Sequence, residues 1–570
     1  MRKKSGEYCW FRAKATTVRD EKNRAIRMVG SIRDISKRKE GEERILDYAR
    51  QMEAKSLELE IAKKQAEEAT RLKSEFLANM SPLPKPVQNA LQRSSIPGQA
   101  ISISVQKIEA KKLHQSIHQS NSVLQMNATE PMNPASTMKL LTSLSAMEIL
   151  GPEYRWKTDL FTNGQIEKDL LKGDILIKGY GDPKLIPEEI AKLMQNLRAL
   201  GIKRIQGDLI FDRSSYDQSV RQSSFSDGEP LRAYNVQPDA LLFAFHSLSF
   251  QISAASNGNI IIRQTPRLAN LRIENNLKLT DRPCQDWKQN IDIQVEHTKA
   301  GAITAIFNGD LPQTCNNLSW NVVVRDVDSF LKNGIIAAWE DAGGVWLRPP
   351  KFKEGQLTNS FKPLHTHYGI PLYESVRDVN KLSNNVMAKQ LMLTLALERN
   401  GRAQNNENAA AIMKEWLKKK NLEFSELVIE NGSGLSRIER ISSQHLNEIL
   451  MLGINSFYRD YFVESLPIAG VDGTMKHRLT DKLRQYFPSK KELALLEKNT
   501  ETFPVGLRRY GAYIKTGSLV DVRSISGYVV SRTGQVYAVS SMINHSLANT
   551  GRPIHDALLS WLLDDGPNHQ

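Results

Sequence analysis

Cysteine is scarce in this sequence. The 570 residues hold three, Cys9, Cys284 and Cys315, and no two of them form a C-x-x-C pair. That excludes the usual zinc and dithiol motifs. Long apolar runs are absent too: none reaches the roughly 18 residues that a spanning helix needs. Basic blocks are missing although the net charge is +14. No five or six basic residues stand together, so the excess reads as general surface charge and no nucleic-acid partner is expected. A secretory leader is not visible either. Met1-Arg2-Lys3-Lys4 carries the charge of one, but Ser5-Gly6-Glu7-Tyr8 follows where an apolar stretch would stand. Taken literally, the chain is expected in the cytoplasm. What remains is ordinary: 40% hydrophobic and 25% charged residues. Such a composition folds around hydrophobic cores, and this length calls for several domains.

The first 81 residues differ in texture from the rest. Tyr8 to Ala13 and Ala25 to Ser36 read as strands about a polar turn at Asp20-Glu21-Lys22-Asn23. A long helix follows over 41–81. Ile45, Tyr48, Met52, Leu59, Ala62, Ala66, Ala69 and Phe76 fall on a and d positions of one heptad frame. This seam predicts a coiled coil and a homodimer through 41–81, with a single solvated helix as the alternative. Residues 1–40 resemble the last strands of a PAS sensor domain. Lys73-Ser74-Glu75-Phe76-Leu77-Ala78-Asn79-Met80-Ser81 resembles the start of the phosphoacceptor motif of sensor histidine kinases. Pro82 stands where the acceptor histidine would follow, so no phosphotransfer is expected. The segment is read as a truncated sensor fragment joined to something unrelated.

Beyond the stiff linker Pro82-Leu83-Pro84-Lys85-Pro86 the chemistry begins. Ala100 to Ile108 alternates as a strand, with Ser122 to Met126 as its hairpin partner. Pro134-Ala135-Ser136-Thr137-Met138-Lys139 then opens an apolar helix that ends at Gly151-Pro152. Ser136 and Lys139 make S-x-x-K. On a helix, i and i+3 share a face, so the amine can reach the hydroxyl. A serine is a poor nucleophile until a base takes its proton, and a lysine of lowered pKa can be that base. Alone the motif is weak: Ser36/Lys39, Ser104/Lys107 and Ser329/Lys332 repeat it without a proline-primed helix start. Lys381-Leu382-Ser383-Asn384-Asn385 supplies S-x-N and begins a second amphipathic helix through Leu397. A second S-x-N, Ser319/Asn321, lies in a β-like run. Lys515-Thr516-Gly517-Ser518 is the chain's one K-T-G and leads into a hairpin, Arg523 to Ser531 and Gln535 to Ile543. Its glycine lets another backbone pack close.

S-x-x-K, S-x-N and K-T-G in that order resemble the penicillin-binding protein and serine β-lactamase set. Ser136 and Ser383 stand 247 positions apart. That long insert resembles the penicillin-binding D-alanyl-D-alanine carboxypeptidase/endopeptidase family. So do Tyr180-Gly181-Asp182-Pro183, Gly207 to Asp212, Tyr234 to Leu241, Asn431-Gly432-Ser433-Gly434-Leu435-Ser436-Arg437 and Leu466 to Thr474. The resemblance runs from about Pro84 to about Leu563. The family usually has aspartate where Asn431 stands.

The expected fold is α+β: a penicillin-binding, β-lactamase-type transpeptidase domain, an antiparallel sheet flanked by helices. It takes residues 84–157 and 346–563, with β-rich subdomains inserted at 158–345. Strands are read at Asp174–Gly179, Gly207–Asp212, Ser249–Ala255, Asn259–Gln264, Ile291–Glu296, Ala302–Asn308 and Trp320–Val327. Cys284 and Cys315 lie in this region and could form a disulfide, or stay as two buried thiols. The resemblance implies an acyl-serine mechanism. Lys139 takes the Ser136 proton, Ser383 relays a proton, Asn385 holds the peptide, and Lys515, Thr516, Gly517 and Ser518 form the carboxylate-binding edge. The N–H groups of Ser136 and Ser518 form the oxyanion hole. Peptidoglycan stem peptides and β-lactams are the implied partners, and the periplasm is the implied location. No metal or cofactor is implied. Two other readings stand beside this one: a serine β-lactamase, and a non-catalytic sensor-kinase-derived dimerisation or binding fusion. For the latter, Asn431-Gly432-Ser433-Gly434-Leu435 has a superficial likeness to a kinase glycine box.

Overall fold

The computed structural model describes residues 10–37, 83–109, 122–221, 235–255, 257–284, 287–297, 303–315, 317–324, 326–484 and 503–568, with a few isolated positions besides. The chain divides into two compact units, Met1–Ser81 and Pro82–Gln570.

The described part of the first unit is a hairpin of Phe11–Arg19 against Ala25–Asp34. Asp20 closes its turn, accepting from the N–H groups of Lys22 at 3.0 Å and Arg24 at 2.8 Å. Ala25–Asp34 is exposed along its whole length. A lone two-stranded ribbon buries too little to form a core. The expected strand start at Tyr8, most of the 41–81 helix with its dimer seam, and the Lys73–Ser81 motif lie outside the described residues.

In the second unit, five strands form one antiparallel sheet in the order Gly511–Ser518, Val522–Val530, Val536–Asn544, Ile101–Ile108, Ser122–Met126. The middle strands are buried on both faces, with short hydroxyls such as Ser524, Ser526, Ser540 and Ser541 buried among the apolar side chains. Helices Ser443–Asn455 and Arg552–Leu563 pack on this sheet. A helical layer of Lys139–Leu150, Leu372–Lys381, Asn385–Asn400 and Asn406–Lys419 completes the same hydrophobic core.

The helix around the S-x-N motif departs from expectation. It does not begin at Lys381. Helix Leu372–Lys381 stops there, and a new helix starts at Asn385. Ser383 lies between them with φ 58, a left-handed conformation that no helix can continue. Asn384 caps the new helix, its side chain accepting from Met387 N–H at 3.1 Å. Nor is that helix amphipathic: every residue from Val386 to Leu397 is buried. It runs through the middle of the helical layer, so it has no solvent face.

The insert builds its own core, from Leu160 to Trp339. All seven of the strands read there are present, at Ile175–Gly179, Leu209–Asp212, Ser247–Ala254, Ile260–Thr265, Ile291–His297, Ile303–Pro312 and Leu318–Val323. Two helices and a long strand were not anticipated: Pro187–Ala199, Val327–Asp341 and Leu271–Thr280. Val327 closes no strand. It opens a helix, because Asp326 caps it by accepting from Ser329 N–H at 3.0 Å. The limits also move. A five-stranded sheet joins Phe352–Glu354, Leu209–Asp212, Ile175–Gly179, Arg155–Thr162 and Lys362–Pro371, so the insert's sheet reaches from Arg155 to Pro371 rather than 158–345. The closing pair is non-local: Thr366 donates to Asp159 across 207 positions. No short window of sequence reports such a contact. Cys284 and Cys315 are joined by a disulfide, with Cys315 fully buried in the insert's core.

Candidate active site

The site lies where the helical layer meets the edge strand Gly511–Ser518. Ser136 sits on a single 3-10 turn, Ala135–Met138, which runs into helix Lys139–Leu150. The turn is pinned from both ends. The Asn544 side chain clamps the Asn133 backbone, its Oδ1 accepting from Asn133 N–H at 2.7 Å and its Nδ2 donating to Asn133 O at 3.0 Å. The Pro134 carbonyl accepts from Thr137 Oγ1 at 2.7 Å and Ser524 Oγ at 2.6 Å. Ala135 itself has φ 45, a strained conformation for a residue with a Cβ, of the kind that collects at functional sites.

Lys139 is fully buried. Its amine donates to Ser136 Oγ at 2.9 Å, to Asn385 Oδ1 at 2.7 Å and to the carbonyl of Ser433. Burial, then the positive charge of Lys515, holds its pKa well below the ordinary lysine value. Lys515, also fully buried, donates to Ser383 Oγ at 2.9 Å and to its neighbour's carbonyl, Thr516 O, at 2.8 Å. Burial brings its pKa down to about 7. Two buried ammonium groups so close cannot both stay charged cheaply, so the arrangement favours one neutral amine.

The five side chains expected to do chemistry fall in two hydrogen-bonded sets, Ser136 with Lys139 and Asn385, and Ser383 with Lys515. Above them opens a cleft of about 390 Å³, lined by Ser136, Ser383, Asn385, Thr516 and Ser518 among others. Thr516 Oγ1 donates to Thr474 Oγ1 at 2.8 Å. Gly517 is where a side chain would not fit: a Cβ there would lie 2.2 Å from Ser524 Oγ and 2.8 Å from Ser136 N. The glycine thus lets the strand edge approach the backbone of Ser136. The repeated motifs stay apart from this cleft. Ser104/Lys107 lies in strand Ile101–Ile108, Ser329/Lys332 in helix Val327–Asp341, and Ser319/Asn321 in the insert strand Leu318–Val323.

A fourth wall was not assigned from the motifs. The loop Asn431–Ser436 presents the Ser433 carbonyl to Lys139 and the Gly432 carbonyl to Thr142 Oγ1, the latter at 2.6 Å. Glu439 holds the loop. Its Oε1 accepts from the N–H groups of Glu430, Asn431 and Gly432 at 3.2, 3.0 and 3.0 Å. Glu439 is fully buried. Burial raises its pKa, against the pull of those N–H groups and of Lys139. Lys389 lies close behind, with burial lowering it to about 8. The available signal was a glutamate placed just past a glycine-rich turn. Asn431 serves the same loop. Its Oδ1 accepts from Ser433 N–H at 3.0 Å and Oγ at 2.5 Å, and its Nδ2 donates to Leu435 O at 3.0 Å. A carboxylate could not make that last bond.

Comparisons with known proteins give the family and the fold. The family profile described as the D-Ala-D-Ala carboxypeptidase 3 (S13) family matches residues 84–491. A D-alanyl-D-alanine carboxypeptidase of Haemophilus influenzae is 24% identical over 433 residues, 75% of this chain and 84% of its own. One from Actinomadura is 23% identical over 434 residues, 71% of this chain and 72% of its own. The crystal structure of penicillin binding protein 4 from Haemophilus influenzae shares the fold, with a TM-score of 0.60 at 21% identity over 84% of this chain and 100% of that one. The profile spans well over half of the chain and takes in the serine, lysine and asparagine that the fold gathers around one cleft: this chain belongs to the D-Ala-D-Ala carboxypeptidase 3 (S13) family of serine peptidases.

Proposed function

We propose that the chain is a serine-type D-alanyl-D-alanine carboxypeptidase and endopeptidase of peptidoglycan peptides, and that it is acylated by β-lactams. One observation carries this: a buried amine with a lowered pKa lies 2.9 Å from Ser136 Oγ at the floor of an open cleft. Neutral Lys139 takes the hydroxyl proton as Ser136 attacks the carbonyl between two D-alanines. The oxyanion is met by the N–H groups of Ser136 and Ser518. Ser383, bonded to Lys515 at 2.9 Å, relays a proton to the leaving amine. Asn385 holds the peptide. Lys515, Thr516 and Ser518 receive the terminal carboxylate, with Gly517 keeping that edge close. The proton Lys139 took has then passed to the leaving amine. Water attacks the ester, and Lys139 takes its proton and hands it to Ser136 Oγ as the acyl bond breaks, restoring the hydroxyl and the neutral amine.

Release of D-alanine from a short peptide ending in D-Ala–D-Ala tests this directly. No release by the folded protein would reject the reading. The lifetime of the penicillin adduct separates it from the β-lactamase reading: a stable adduct supports a peptidase, and rapid turnover of penicillin supports a lactamase.

The pH profile follows from the two lysines. Lys139 must be neutral, so acylation rises as pH climbs through its lowered pKa. Lys515 must be charged to meet a carboxylate, so kcat/KM falls as pH rises past about 7. Bound carboxylate favours the charged form of Lys515. The falling limb of kcat is therefore expected at higher pH than that of kcat/KM. Rates measured across pH check this; a kcat/KM that keeps rising well above 7 contradicts it.

Gly434 supplies a second expected outcome. It has φ 80, and a Cβ there would lie 1.8 Å from Ala135 O and 2.6 Å from Ser136 N. Gly434→Ala must push the nucleophile's turn out of place. Acylation by penicillin is expected to slow about 100-fold, the usual order for a misplacement near 1 Å. Unchanged acylation would mean that the loop does not set the position of Ser136.

Residues 84–154 with 372–563 are proposed as the catalytic part and the intervening segment as a separate β-rich part, supported by its own core and by the sheet that closes from Arg155 to Pro371. The Cys284–Cys315 disulfide fits an oxidising compartment such as the periplasm. Among the described residues no helix is long and apolar enough to cross a membrane. Residues 1–81 are read as a PAS and sensor-kinase remnant, supported by the exposed hairpin, with no step in the reaction.

A further inference from the structure

A second cavity, of about 480 Å³, opens on the far side of the S-x-N motif. It shares Ser383 and Asn385 with the catalytic cleft, so the two spaces adjoin at those side chains. Its opposite wall belongs to the insert. There Ala244, Phe245 and His246 take φ of 45, 53 and 47 in succession. Three consecutive non-glycine residues in the left-handed region are costly, and such strain persists where surrounding structure demands it. The turn is held by Ala244 N–H on Leu185 O at 2.9 Å and by Val324 N–H on His246 O at 2.9 Å. Ala244 and Phe245 line the cavity across from Ser383, itself left-handed at φ 58. Strained backbone thus stands on both walls.

Phe245, Leu382 and Val386 give the cavity apolar wall beside the polar Ser383, Asn384 and Asn385. Beyond, it meets the sheet of Ser247–Ala254, Ile260–Thr265 and Leu318–Val323. On the first of these strands Leu248, Phe250 and Ile252 are buried in the insert's core. Ser247 and Ser249 therefore face the other way. Ser249 pairs across the sheet with Thr265 on one side and Asn321 on the other, and all three line the cavity. Short hydroxyls and an amide in one cross-strand row present donors and acceptors to the peptide bonds of an extended chain.

We infer that this second cavity binds the peptide attached to the leaving residue, that is, the second strand of a cross-linked peptide pair. The inference rests on the proposed function. In that reading the leaving residue has its carboxylate at Thr516 and Ser518 and its amine at Ser383. Its remaining substituent points past Ser383, into this cavity. For a carboxypeptidase substrate that substituent is a methyl group and the cavity stays unused. For a cross-linked substrate it is the arm carrying the second peptide. The acyl side has room on the other flank of the catalytic cleft, beside Leu435, Arg437 and Val520. The bond cleaved is the same type of amide, and water supplies the same hydrolysis.

The test compares three purified substrates: a short peptide ending in D-Ala–D-Ala, the same peptide lengthened on its acyl side, and a cross-linked peptide dimer. Ser249→Trp fills the cavity, and Asn321→Ala removes one polar contact from its wall. Penicillin acylation shows that each variant is folded. The expected result is that kcat/KM for the dimer, divided by that for the short peptide, falls about tenfold or more in Ser249→Trp and less in Asn321→Ala, in the range of lost subsite contacts. The ratio for the acyl-extended peptide stays as in the unmodified protein. A ratio for the dimer that does not fall overturns the inference. So does a fall confined to the acyl-extended peptide, which would give the cavity to the other side of the bond. If the unmodified protein releases no D-alanine from the short peptide, the proposed function fails first, and the inference with it.

Discussion

Ser136→Ala is expected to gain no mass on incubation with benzylpenicillin, while the unmodified protein gains one penicillin per chain. The hydroxyl is the one atom that can form the acyl bond. Its turn is pinned by Asn133, Asn544 and Ser524 through backbone groups that alanine keeps, so the variant should fold as before. Peptide hydrolysis should fall by roughly 10⁴-fold or more, since removal of a nucleophile leaves only binding and oxyanion stabilisation. Intact-protein mass spectrometry reads the adduct. An adduct on Ser136→Ala would place the nucleophile elsewhere. No adduct on the folded unmodified protein would mean that the site is not competent, and the non-catalytic reading of the chain would take over.

Glu439 should produce the second large effect, through two separable routes. Glu439→Ala removes the acceptor for three N–H groups, that of Gly432 buried. The buried one left orphaned costs about 1–3 kcal/mol, and the Ser433 carbonyl that steadies Lys139 loses its support. Acylation is expected to fall about 100-fold, with a clear loss of thermal stability. Glu439→Gln keeps an oxygen for those N–H groups and removes the negative charge. That charge opposes burial and Lys515 in setting the Lys139 pKa. Without it the amine loses its proton at lower pH, so the acid limb of acylation should move down. Its plateau should also fall, because a weaker base serves less well. Melting curves and acylation rates across pH read both effects. An acid limb that stays in place in the glutamine variant would reject the electrostatic part. Full activity and stability in the alanine variant would reject the structural part.

Much of this site was legible before any coordinates. Ser136 and Lys139 are three positions apart on one helical run, so their meeting follows from local geometry. Lys515 and Gly517 stand two positions apart on one strand, and the hairpin behind them is marked by two strand-forming runs about the turn Arg532-Thr533-Gly534. The insert's strands declared themselves by β-branched runs between turn residues. The motif order carried the family resemblance because each motif is short and contiguous.

Other features depended on pairings that no window of sequence contains. The sheet of the insert closes through Lys362–Pro371 on Arg155–Thr162, and only that contact sets its limits. Ser383 reads as the start of a helix, yet the fold holds it left-handed between two helices. Glu439 looks like a surface glutamate until the loop it holds is folded over it. The Lys139 pKa depends on burial and on Lys515, far along the chain. By itself the sequence determined which side chains are proposed for the chemistry and which short elements carry them, because those follow from local spacing and backbone preference. Only the tertiary structure decided how the Lys139 pKa is lowered, what steadies the amine, and which second cavity adjoins the cleft at Ser383 and Asn385, because burial and charge proximity are properties of distant segments packed together.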